Sequence, residues 1–578
     1  MTTAPNSDAS PAAVPATDES VHTDLVAKLV AEAFSGLTRG VKPPASVPNV
    51  PAELPVAPSL PNTAASEAPS ALPPVHPTAQ PAAPKLAAAE QTPTGAHSPN
   101  ASDSYAFGEP RCNGSYRPEN NRPDTKTANS NSVLGFAQPE SAATPDFYFL
   151  KGLQPTGKSP AACQSYPKNA APIPKFDIDS VRRDFPALHQ FVNGQPLIWL
   201  DNAATTHKPQ AVIDATSQFY SRDNSNIHRA AHTLSTRATE LFEAGREKVR
   251  KFLGAADTKE IVFARGTTEA INLVAQSYGR KNIGAGDEII ISELEHHANI
   301  VPWKLLAEQV GATVRVIPIN DRGELILDEY VKLLGPRTKF VSVAHVSNSL
   351  GTINPVEQII ALAHARGVPV LIDGAQSTPH LPVNVTALDV DFYVFSGHKI
   401  FAPTGIGALY GKAALLEAMP PWQGGGHMIQ DVRFEKTIYK SAPEKFEAGT
   451  PDIAGVVGLG AAIDYLFKVG IPAIAAYEHA LLEYAQHALS TIPGLRPIGT
   501  AANKASVLSF VIPGVSNDSI ARHLDKQGIA VRAGHHCAQP AIRHFGLETS
   551  VRPSLAFYNT REEVDALVRA LRSLKRGT

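Results

Sequence analysis

The chain has 578 residues, of which 43% are hydrophobic, with 52 basic and 54 acidic side chains. This size allows two or three domains, and the near-zero net charge argues against a nucleic-acid binder driven by bulk charge. Three cysteines, Cys112, Cys163 and Cys537, imply no disulfide framework, so a reducing, cytoplasmic setting fits best. No apolar run reaches about 18 residues and the N-terminus lacks the features of a secretory signal, so we predict no membrane partner.

The first predicted region is a Pro- and Ala-rich arm over residues 1–172, as in "VPNVPAELPVAPSLPNTAAS". Because prolines separate its aliphatic residues, the arm cannot bury enough apolar surface to offset chain entropy, and we predict disorder. Apolar or aromatic islands interrupt it at residues 23–37, 104–116 and 131–153. The first has apolar residues at helical spacing, which is typical of a motif that docks into a groove on a partner. The alternative is a plain spacer.

After about residue 172 the composition becomes that of a globular protein. Short apolar runs alternate with helical segments, and the runs are "EIVFA", "DEIIIS", "TVRVIPI", "KFVSVAHV", "PVLID" and "DFYVFS". This alternation predicts an α/β domain with a mainly parallel sheet. From about residue 481 onward, the pattern predicts a smaller α+β domain.

Polar side chains follow several of these runs, at the sheet edge where ligands bind in open α/β folds. Gly266, Thr267 and Thr268 precede a helix, and free amides and hydroxyls there suit a phosphate. The simpler interpretation is that Thr only caps the helix. Asp373 and Gln376 follow "PVLI", where a carboxylate could hold a metal, cap a turn or pair with a cationic ring nitrogen.

Lys399 in "FSGHK" follows another run. A lone lysine at a strand end more often extends along the surface into solvent. Beside a phosphate site and a carboxylate, however, it suggests a Schiff base with pyridoxal phosphate (PLP). Ser396 and His398 could complete the phosphate site. His296 in "ELEHHAN" could stack on the cofactor ring or merely cap the next helix.

Cys537 lies in "AVRAGHHCAQP", close to two histidines and an arginine. Neighbouring positive charge activates a thiol, so we interpret Cys537 as a nucleophile on a mobile loop. A zinc site is the alternative, but no second pair of ligands occurs at the usual spacing, and we predict no metal. Arg552 in "SVRPSLAF" could bind a carboxylate bidentately.

From about residue 174 to the C-terminus, the chain resembles the type II (SUF-type) cysteine desulfurases. The motifs that carry the resemblance, in order, are "DNAATTHKP", "RGTTEAINLVA", "EHHANIVPW", "HVSNSLGTINP", "DGAQS", "DFYVFSGHK", "FEAGTP", "RAGHHCAQP" and "RPSLAFYNT". The resemblance implies the PLP-dependent fold type I of class V aminotransferases, which is aspartate aminotransferase-like, and a homodimer. The PLP-binding large domain would span residues 200–480, and the small domain would combine residues 173–199 and 481–578.

The resemblance also implies the reaction and its catalytic residues. L-Cysteine would be converted to L-alanine, and the sulfur would pass to Cys537 as a persulfide for a sulfur-acceptor protein, as in iron–sulfur cluster assembly. Lys399 would carry PLP, and His296 would stack on the ring and shuttle protons. The alternatives are a selenocysteine lyase, a cysteine-sulfinate desulfinase or a vestigial domain that serves as a scaffold.

Residues at the strand ends would contact the cofactor and the substrate. By the same resemblance, Asp373 would pair with the ring nitrogen and Gln376 would contact the ring oxygen. The substrate carboxylate would be held by Asn348 and Arg552. The side chains that would bind the phosphate are Thr268, Ser396, His398 and, from the other subunit, Thr450.

The arm is a departure from ordinary members of that family, which begin near the equivalent of "FDIDSVRRDFPAL". In composition, residues 1–172 resemble the cargo-loading domain of cysteine desulfurases packaged in family 2 encapsulin shells. This resemblance implies that the three islands bind the interior of a shell and that the enzyme lies in a cytoplasmic nanocompartment. Docking to a sulfur acceptor and a solubilising tail are the alternatives.

Overall fold

The structure, a computed structural model, describes residues 176–228 and 231–574, so the predictions for residues 1–172 lie outside the described residues. In chain order, the helices of the described part are α1 Ile178–Arg183, α2 Gln210–Gln218, α3 Thr233–Leu253, α4 Thr267–Val274, α5 Arg280–Asn282, α6 Val301–Val310, α7 Leu327–Leu333, α8 Val356–His364, α9 Val385–Leu388, α10 Ala413–Ala418, α11 Ile453–Val469, α12 Ile471–Ser490, α13 Asn517–Asp525, α14 Gln539–His544 and α15 Arg561–Arg572. Its strands are β1 Phe191–Val192, β2 Gln195–Pro196, β3 Ile198–Trp199, β4 Ile261–Ala264, β5 Glu288–Ser292, β6 Thr313–Ile317, β7 Thr338–Ala344, β8 Val370–Asp373, β9 Phe392–Ser396, β10 Gly407–Gly411, β11 Ile429–Val432, β12 Thr437–Tyr439, β13 Arg496–Pro497, β14 Phe510–Val511, β15 Ile529–Ala530, β16 Arg532–Gly534 and β17 Ser550–Arg552.

The larger sheet has seven strands in the order β4-β10-β9-β8-β7-β5-β6. The strands β9, β8, β7, β5 and β6 pair in parallel, whereas β10 is antiparallel to both β4 and β9. The six predicted runs form β4 to β9, so the prediction of an α/β fold with a mainly parallel sheet is confirmed.

Strand β10 was not predicted from the sequence. Its run, "GALYG", begins and ends with glycine, a residue of low strand propensity, which hides the strand in the sequence. The packing nevertheless requires the first glycine: a Cβ on Gly407 would lie 2.4 Å from the carbonyl oxygen of Phe395 and 2.7 Å from the Cα of Gly266. The close approach that makes glycine necessary is a tertiary contact, and no local pattern reports it.

Both faces of the larger sheet are covered. Every residue of β5, β8 and β9 is buried. Ile290 and Ile372 belong to one hydrophobic cluster, and Ile289 and Leu371 belong to another. Because successive side chains of a strand point to opposite faces, the two clusters lie on the two sides of the sheet. This explains why the strands appear in the sequence as continuous apolar runs.

A second, antiparallel sheet lies in the C-terminal part, in the order β13-β14-β17-β16. It shares a third hydrophobic cluster with helices α12, α13 and α15. Strand β3 pairs in parallel with β15, with Ile198 opposite Ile529, and Asp201 bridges to Ser554. The segment before Asp201 therefore packs with the C-terminal part in a smaller α+β unit. The residue boundaries proposed for the two domains stay a prediction.

Helices α3 and α11 pack closely in the core. A Cβ on Gly245 of α3 would lie 2.4 Å from Cγ1 of Val456 in α11, so glycine is needed at this crossing.

Within residues 176–228 and 231–574, no single helix is long and apolar enough to span a membrane. Helices α11 and α12 together meet that criterion by length and composition, but they are bent by 74° at the break between them.

Candidate active site

A cavity of about 160 Å³ opens at the C-terminal ends of the larger sheet. The predicted site residues that line it are Thr268, His296, Asn348, Asp373, Gln376, Ser396, His398, Lys399, Cys537 and Arg552. The remaining predicted residue, Thr450, is exposed and does not line this cavity. Its contact with the cofactor of another subunit stays a prediction.

Lys399 is the last residue of a 3-10 turn, Gly397–Lys399, that directly follows β9. Its ammonium group forms no hydrogen bond or ion pair with any residue in the described part of the chain. Burial lowers the pKa of Lys399 to about 8, the carboxylate of Asp373 opposes this change, and the guanidinium of Arg552 adds to it. The amine is therefore mostly protonated at neutral pH, but its uncharged, nucleophilic form is far more populated than that of an exposed lysine.

Asp373 ends β8, the neighbour of β9 in the sheet. One carboxylate oxygen, Oδ1, accepts a hydrogen bond of 2.9 Å from the backbone N–H of Ala375. Burial raises the pKa of Asp373, whereas this hydrogen bond and the ammonium of Lys399 act in the opposite direction. Gln376 lies beyond it and donates through Nε2 to the carbonyl oxygen of Ala203, at 2.6 Å. The side chains of Asp373, Gln376 and Lys399 all line the same cavity.

The predicted phosphate site lies where β4 leads into α4. Gly266 has a φ of 148°, and a Cβ there would lie 3.1 Å from Ser396 Oγ, so glycine lets the two loops approach each other. Ser396 Oγ accepts from the Thr267 backbone N–H and donates to Thr267 Oγ1, both at 3.0 Å. Thr267 also lines the cavity; the sequence pattern grouped it with Thr268, whereas the family resemblance assigned the phosphate to Thr268 alone. Its hydroxyl and that of Ser396 are already paired with each other.

Arg552 and Asn348 line the same cavity. Arg552 donates through Nη1 to the carbonyl oxygen of Asn348 at 2.9 Å and through Nη2 to Oδ1 of Asp201 at 3.0 Å. Asn348 donates through Nδ2 to the carbonyl oxygen of His536 at 2.6 Å. The buried Nε of Arg552 and Oδ1 of Asn348 have no partner within the described residues. Because unpaired buried polar groups cost free energy, these two atoms indicate a polar ligand.

The loop that carries Cys537 follows β16. His536 and Cys537 have left-handed φ angles of 55° and 54°, a conformation that is uncommon for residues other than glycine. The backbone N–H of His297 donates to the carbonyl oxygen of Cys537 at 2.7 Å, and the Cys537 N–H donates to Nδ1 of His535 at 3.0 Å. The sequence predicted a mobile loop. In this conformation its backbone is held on both sides of the thiol.

His296 has both of the features that the sequence suggested as alternatives. Its Nδ1 accepts a hydrogen bond of 3.0 Å from the backbone N–H of Ala298 and so caps a 3-10 turn, and its ring also lines the cavity. Burial and the ammonium of Lys399 lower the pKa of His296 to about 3. The imidazole is therefore neutral at physiological pH, with its proton on Nε2.

Sequence reasoning missed Arg532 and His536, which line the cavity, and Asp201, which does not. The sequence showed Arg532 only as an arginine near Cys537. In the structure, Arg532 Nε donates to Oδ2 of Asp201 at 3.2 Å, so this one carboxylate holds both Arg532 and Arg552. Among the described residues, no group of three or more His, Cys, Asp or Glu side chains is arranged to hold a metal ion.

Comparison with known proteins gives a consistent result. The model of the aminotransferase class-V family matches residues 198–567. A cysteine desulfurase from Synechococcus elongatus is 62% identical over 403 residues, which are 70% of this chain and 64% of that protein. A probable cysteine desulfurase from Vibrio cholerae is 53% identical over 396 residues, which are 68% of this chain and 98% of that protein.

A solved structure gives the same result at the level of the fold. The cysteine desulfurase CsdA from Escherichia coli superposes with a TM-score of 0.64 at 44% identity, covering 68% of this chain and 97% of that one. The chain spans less than two thirds of the length of the Synechococcus protein, the first of these relatives. Cysteine desulfurases with the class V aminotransferase fold use PLP. The chain therefore belongs to the class V aminotransferase family, where the relatives described above are cysteine desulfurases.

Proposed function

We propose that the chain is a PLP-dependent cysteine desulfurase of the type II kind, which converts L-cysteine to L-alanine and passes the sulfur to Cys537 as a persulfide. The observation that carries the proposal is the convergence of an unpaired lysine, a buried carboxylate, a buried arginine and a thiol in one cavity. Each of the four has a distinct task in that reaction. The identity of 53% with a relative covered over 98% of its length supports it.

The residues of the cavity fit PLP. Lys399 offers an amine without a partner, and Asp373 offers a buried carboxylate for the ring nitrogen. The start of α4, where Thr268 lines the cavity, suits the phosphate together with Ser396 and His398. When bound, PLP supplies an electron sink that stabilises negative charge at the substrate Cα.

The remaining residues bind the substrate and move protons. Arg552 holds the substrate carboxylate by donating from Nε, which lacks a partner, and Asn348 donates to it through the second N–H of Nδ2. Lys399, which its lowered pKa makes partly neutral, moves the proton at the substrate Cα. His296, which is neutral and lines the same cavity, would pack against the cofactor ring and relay protons. Gln376 would contact the ring oxygen, and the exposed Thr450 would bind the cofactor phosphate of a second copy in a homodimer.

Cys537 receives the sulfur. Its thiolate attacks the substrate sulfur, so that an S–S bond forms while the bond between the substrate sulfur and Cβ breaks. The electron pair of the broken bond stays with the substrate carbon, which takes up a proton to give alanine. The cysteine and the enzyme thiol thus become alanine and an enzyme persulfide, without an external oxidant. An acceptor protein then takes the sulfur for uses such as iron–sulfur cluster assembly.

The test replaces Cys537 by serine in the full chain and measures alanine formation from L-cysteine together with the visible absorbance of bound PLP. We expect Cys537→Ser to keep the absorbance and to lose cysteine turnover. The matched control is Cys163→Ser, which removes a different thiol and should keep both. Cysteine turnover by Cys537→Ser at the rate of the control would contradict the proposal, and a wild-type chain with neither absorbance nor turnover would indicate a scaffold.

The Cys537→Ser and Cys163→Ser variants also distinguish cysteine desulfurase activity from selenocysteine lyase and cysteine-sulfinate desulfinase activity. Selenocysteine and cysteine sulfinate can release their groups without the thiol of Cys537, so their turnover should survive Cys537→Ser. A kcat/KM for either substrate far above that for L-cysteine in the wild type would favour a selenocysteine lyase or a sulfinate desulfinase. We expect L-cysteine to be preferred, because Cys537 lines the same cavity as Lys399 and Arg552.

We also propose that residues 1–172 direct the enzyme into an encapsulin shell in the cytoplasm. The composition of this segment and its three apolar islands support the proposal. Coexpression with a family 2 encapsulin shell protein tests it by comparing the full chain with a variant that lacks residues 1–172. Co-purification of the full chain alone is expected. Equal co-purification of both would contradict the proposal, and binding of the arm to a sulfur acceptor instead would favour the docking alternative.

A further inference from the structure

Behind the cavity, hydrogen-bond donors crowd around the carbonyl oxygen of His398. This atom accepts from the Thr206 backbone N–H at 3.1 Å, Thr205 Oγ1 at 3.1 Å, Thr206 Oγ1 at 3.2 Å and Lys208 Nζ at 3.3 Å. A carbonyl oxygen has two lone pairs, so four donors are more than hydrogen-bond satisfaction requires. We call these four donors and their acceptor the carbonyl clamp.

Lys208 brings a positive charge to the clamp. Its Nζ also donates to the carbonyl oxygen of Thr206 at 2.5 Å, and no carboxylate of the described residues compensates its charge. Burial lowers the pKa of Lys208 to about 8, so the ammonium form prevails at neutral pH and below. Placing a charge there without a counter-charge is costly. The cost is consistent with a task that a neutral donor does not perform.

The clamp acts on the peptide group that joins His398 to Lys399. Holding the carbonyl oxygen fixes the plane of that peptide group, and rotation of the plane would turn the Cα–Cβ bond of Lys399. On the other side of Lys399, the backbone N–H of Phe401 donates to Thr206 Oγ1 at 2.9 Å. The ammonium group of Lys399 has no hydrogen bond of its own among the described residues. The direction of this side chain therefore depends on its backbone.

We propose that Lys208 is a positioning residue that aims Lys399 at the cofactor and the substrate, acting through the carbonyl oxygen of His398. Neither Lys208 nor Thr205 lines the cavity, so both act without touching the substrate. The inference rests on the proposed function, because it requires that Lys399 carries PLP. It adds a role for the segment "TTHK", which the proposed mechanism does not use.

The experiment compares Lys208→Met, Lys208→Arg and Lys504→Met in the full-length holoenzyme. Lys504 is the matched control because it is also a buried lysine. Its Nζ donates to the carbonyl oxygens of Leu350 and Gly499, each at 2.5 Å, and burial lowers its pKa to about 8 as well. Three quantities are measured: the visible circular dichroism of bound PLP, the kcat and KM for L-cysteine, and the Tm.

Lys208→Met should lower kcat about tenfold or more, because a misaimed catalytic group loses alignment with the reacting atoms. It should also reduce the visible circular dichroism, which reports how the protein orients the cofactor, and leave KM within about twofold, since Arg552 and Asn348 are untouched. Lys208→Arg should restore most of both signals. Lys504→Met should lower the Tm and leave the circular dichroism of the cofactor unchanged.

Wild-type kcat and circular dichroism in Lys208→Met, with a Tm lowered as in Lys504→Met, would show a structural lysine and overturn the inference. If Lys208→Met does not fold, Thr205→Val decides, since it removes one donor to His398 and keeps the shape of the side chain. A smaller loss of kcat and of circular dichroism supports the clamp, and unchanged values overturn it. Absence of the visible PLP signal from the wild type would instead refute the proposed function.

Discussion

Arg246 in the core and Arg552 at the cavity are 2% and 1% exposed, but their environments differ. Arg246 pairs with both oxygens of Glu447 at 2.7 and 2.9 Å, and its Nε donates to Glu243. Arg552 shares Asp201 with a second arginine, and its Nε has no partner among the described residues. Although both side chains are desolvated, Glu447 and Glu243 raise the pKa of Arg246, whereas burial lowers that of Arg552.

The difference teaches how to distinguish a structural charge from a functional one in this chain. Glu447 is in turn fixed by the backbone N–H of Phe263, and the Arg246 guanidinium lies over the Phe263 ring at 4.6 Å from its centroid. The core pair is complete, so a ligand would add nothing to it. At the cavity, Arg552 keeps an unused donor, and Lys399 has no partner. At equal burial, the arginine of the cavity keeps a donor for a ligand, whereas the arginine of the core does not.

The largest effect should come from the cavity side of this comparison. Lys399→Ala removes both the amine that carries PLP and the group that moves the Cα proton. We expect the visible absorbance of lysine-linked PLP to disappear and turnover to fall by about 10²–10⁴-fold. Absorbance spectra and alanine formation check this. A normal absorbance band in the variant would show that another residue carries the cofactor.

On the core side, Arg246→Met should act on stability. Leaving Glu447 buried without its partner should cost about 3–5 kcal/mol of the free energy of unfolding, as for other broken buried pairs. Chemical denaturation measures this value. The double variant Arg246→Met/Glu447→Leu should recover part of the loss, because no buried charge is left unpaired although the Phe263 N–H loses its acceptor. Impaired catalysis in the variant at temperatures where it stays folded would weaken the distinction between the two arginines.

Arg552→Lys should mainly affect substrate binding. Lysine keeps the charge but lacks the planar fork that reaches Asn348, Asp201 and the substrate together. We expect kcat/KM for L-cysteine to fall by roughly 10–100-fold, the value of one hydrogen bond to a charged group. Steady-state kinetics check this, with Arg246→Lys as the control for the same exchange in the core. If Arg552→Lys and Arg246→Lys both lowered only the free energy of unfolding, Arg552 would be a structural arginine like Arg246.

The smallest expected effect is a displaced pH dependence. In the enzyme stripped of PLP, Lys399 reacts with added cofactor only as the uncharged amine, and burial lowers its pKa to about 8. As the pH rises through about 8, the rate of PLP binding should increase and then level off. Stopped-flow absorbance measures this profile. A rate that keeps rising up to pH 10, as for an exposed lysine, would contradict the lowered pKa.

Much of the fold and of the site could be predicted because the signals are local. Strands β4 to β9 appear as apolar runs, Asp373 ends β8, and Lys399 lies in the short turn that follows the neighbouring strand β9. Strand β10 was not predicted because glycine at its first position, Gly407, is required by contacts with residues distant in sequence. Asp201 and Arg532 were missed for the same reason. Asp201 contacts Arg532 and Arg552 only when the segment before Asp201 packs on the C-terminal part. The role of Thr450 depends on a second subunit and stays a prediction.

The hydrogen bonds around Arg552 have a consequence for how the two reacting partners are placed. One route leads through Asp201 to Arg532 at the start of β16, and the other leads through Asn348 to His536, the neighbour of Cys537. Since β16 itself continues into the loop with His536, the two routes close a ring. The residue proposed to hold the substrate and the sulfur that would attack it therefore share one frame. A shift of Arg552 would move the loop that carries Cys537, and a shift of that loop would move Arg552. The distance between these two residues therefore depends on every hydrogen bond in the ring.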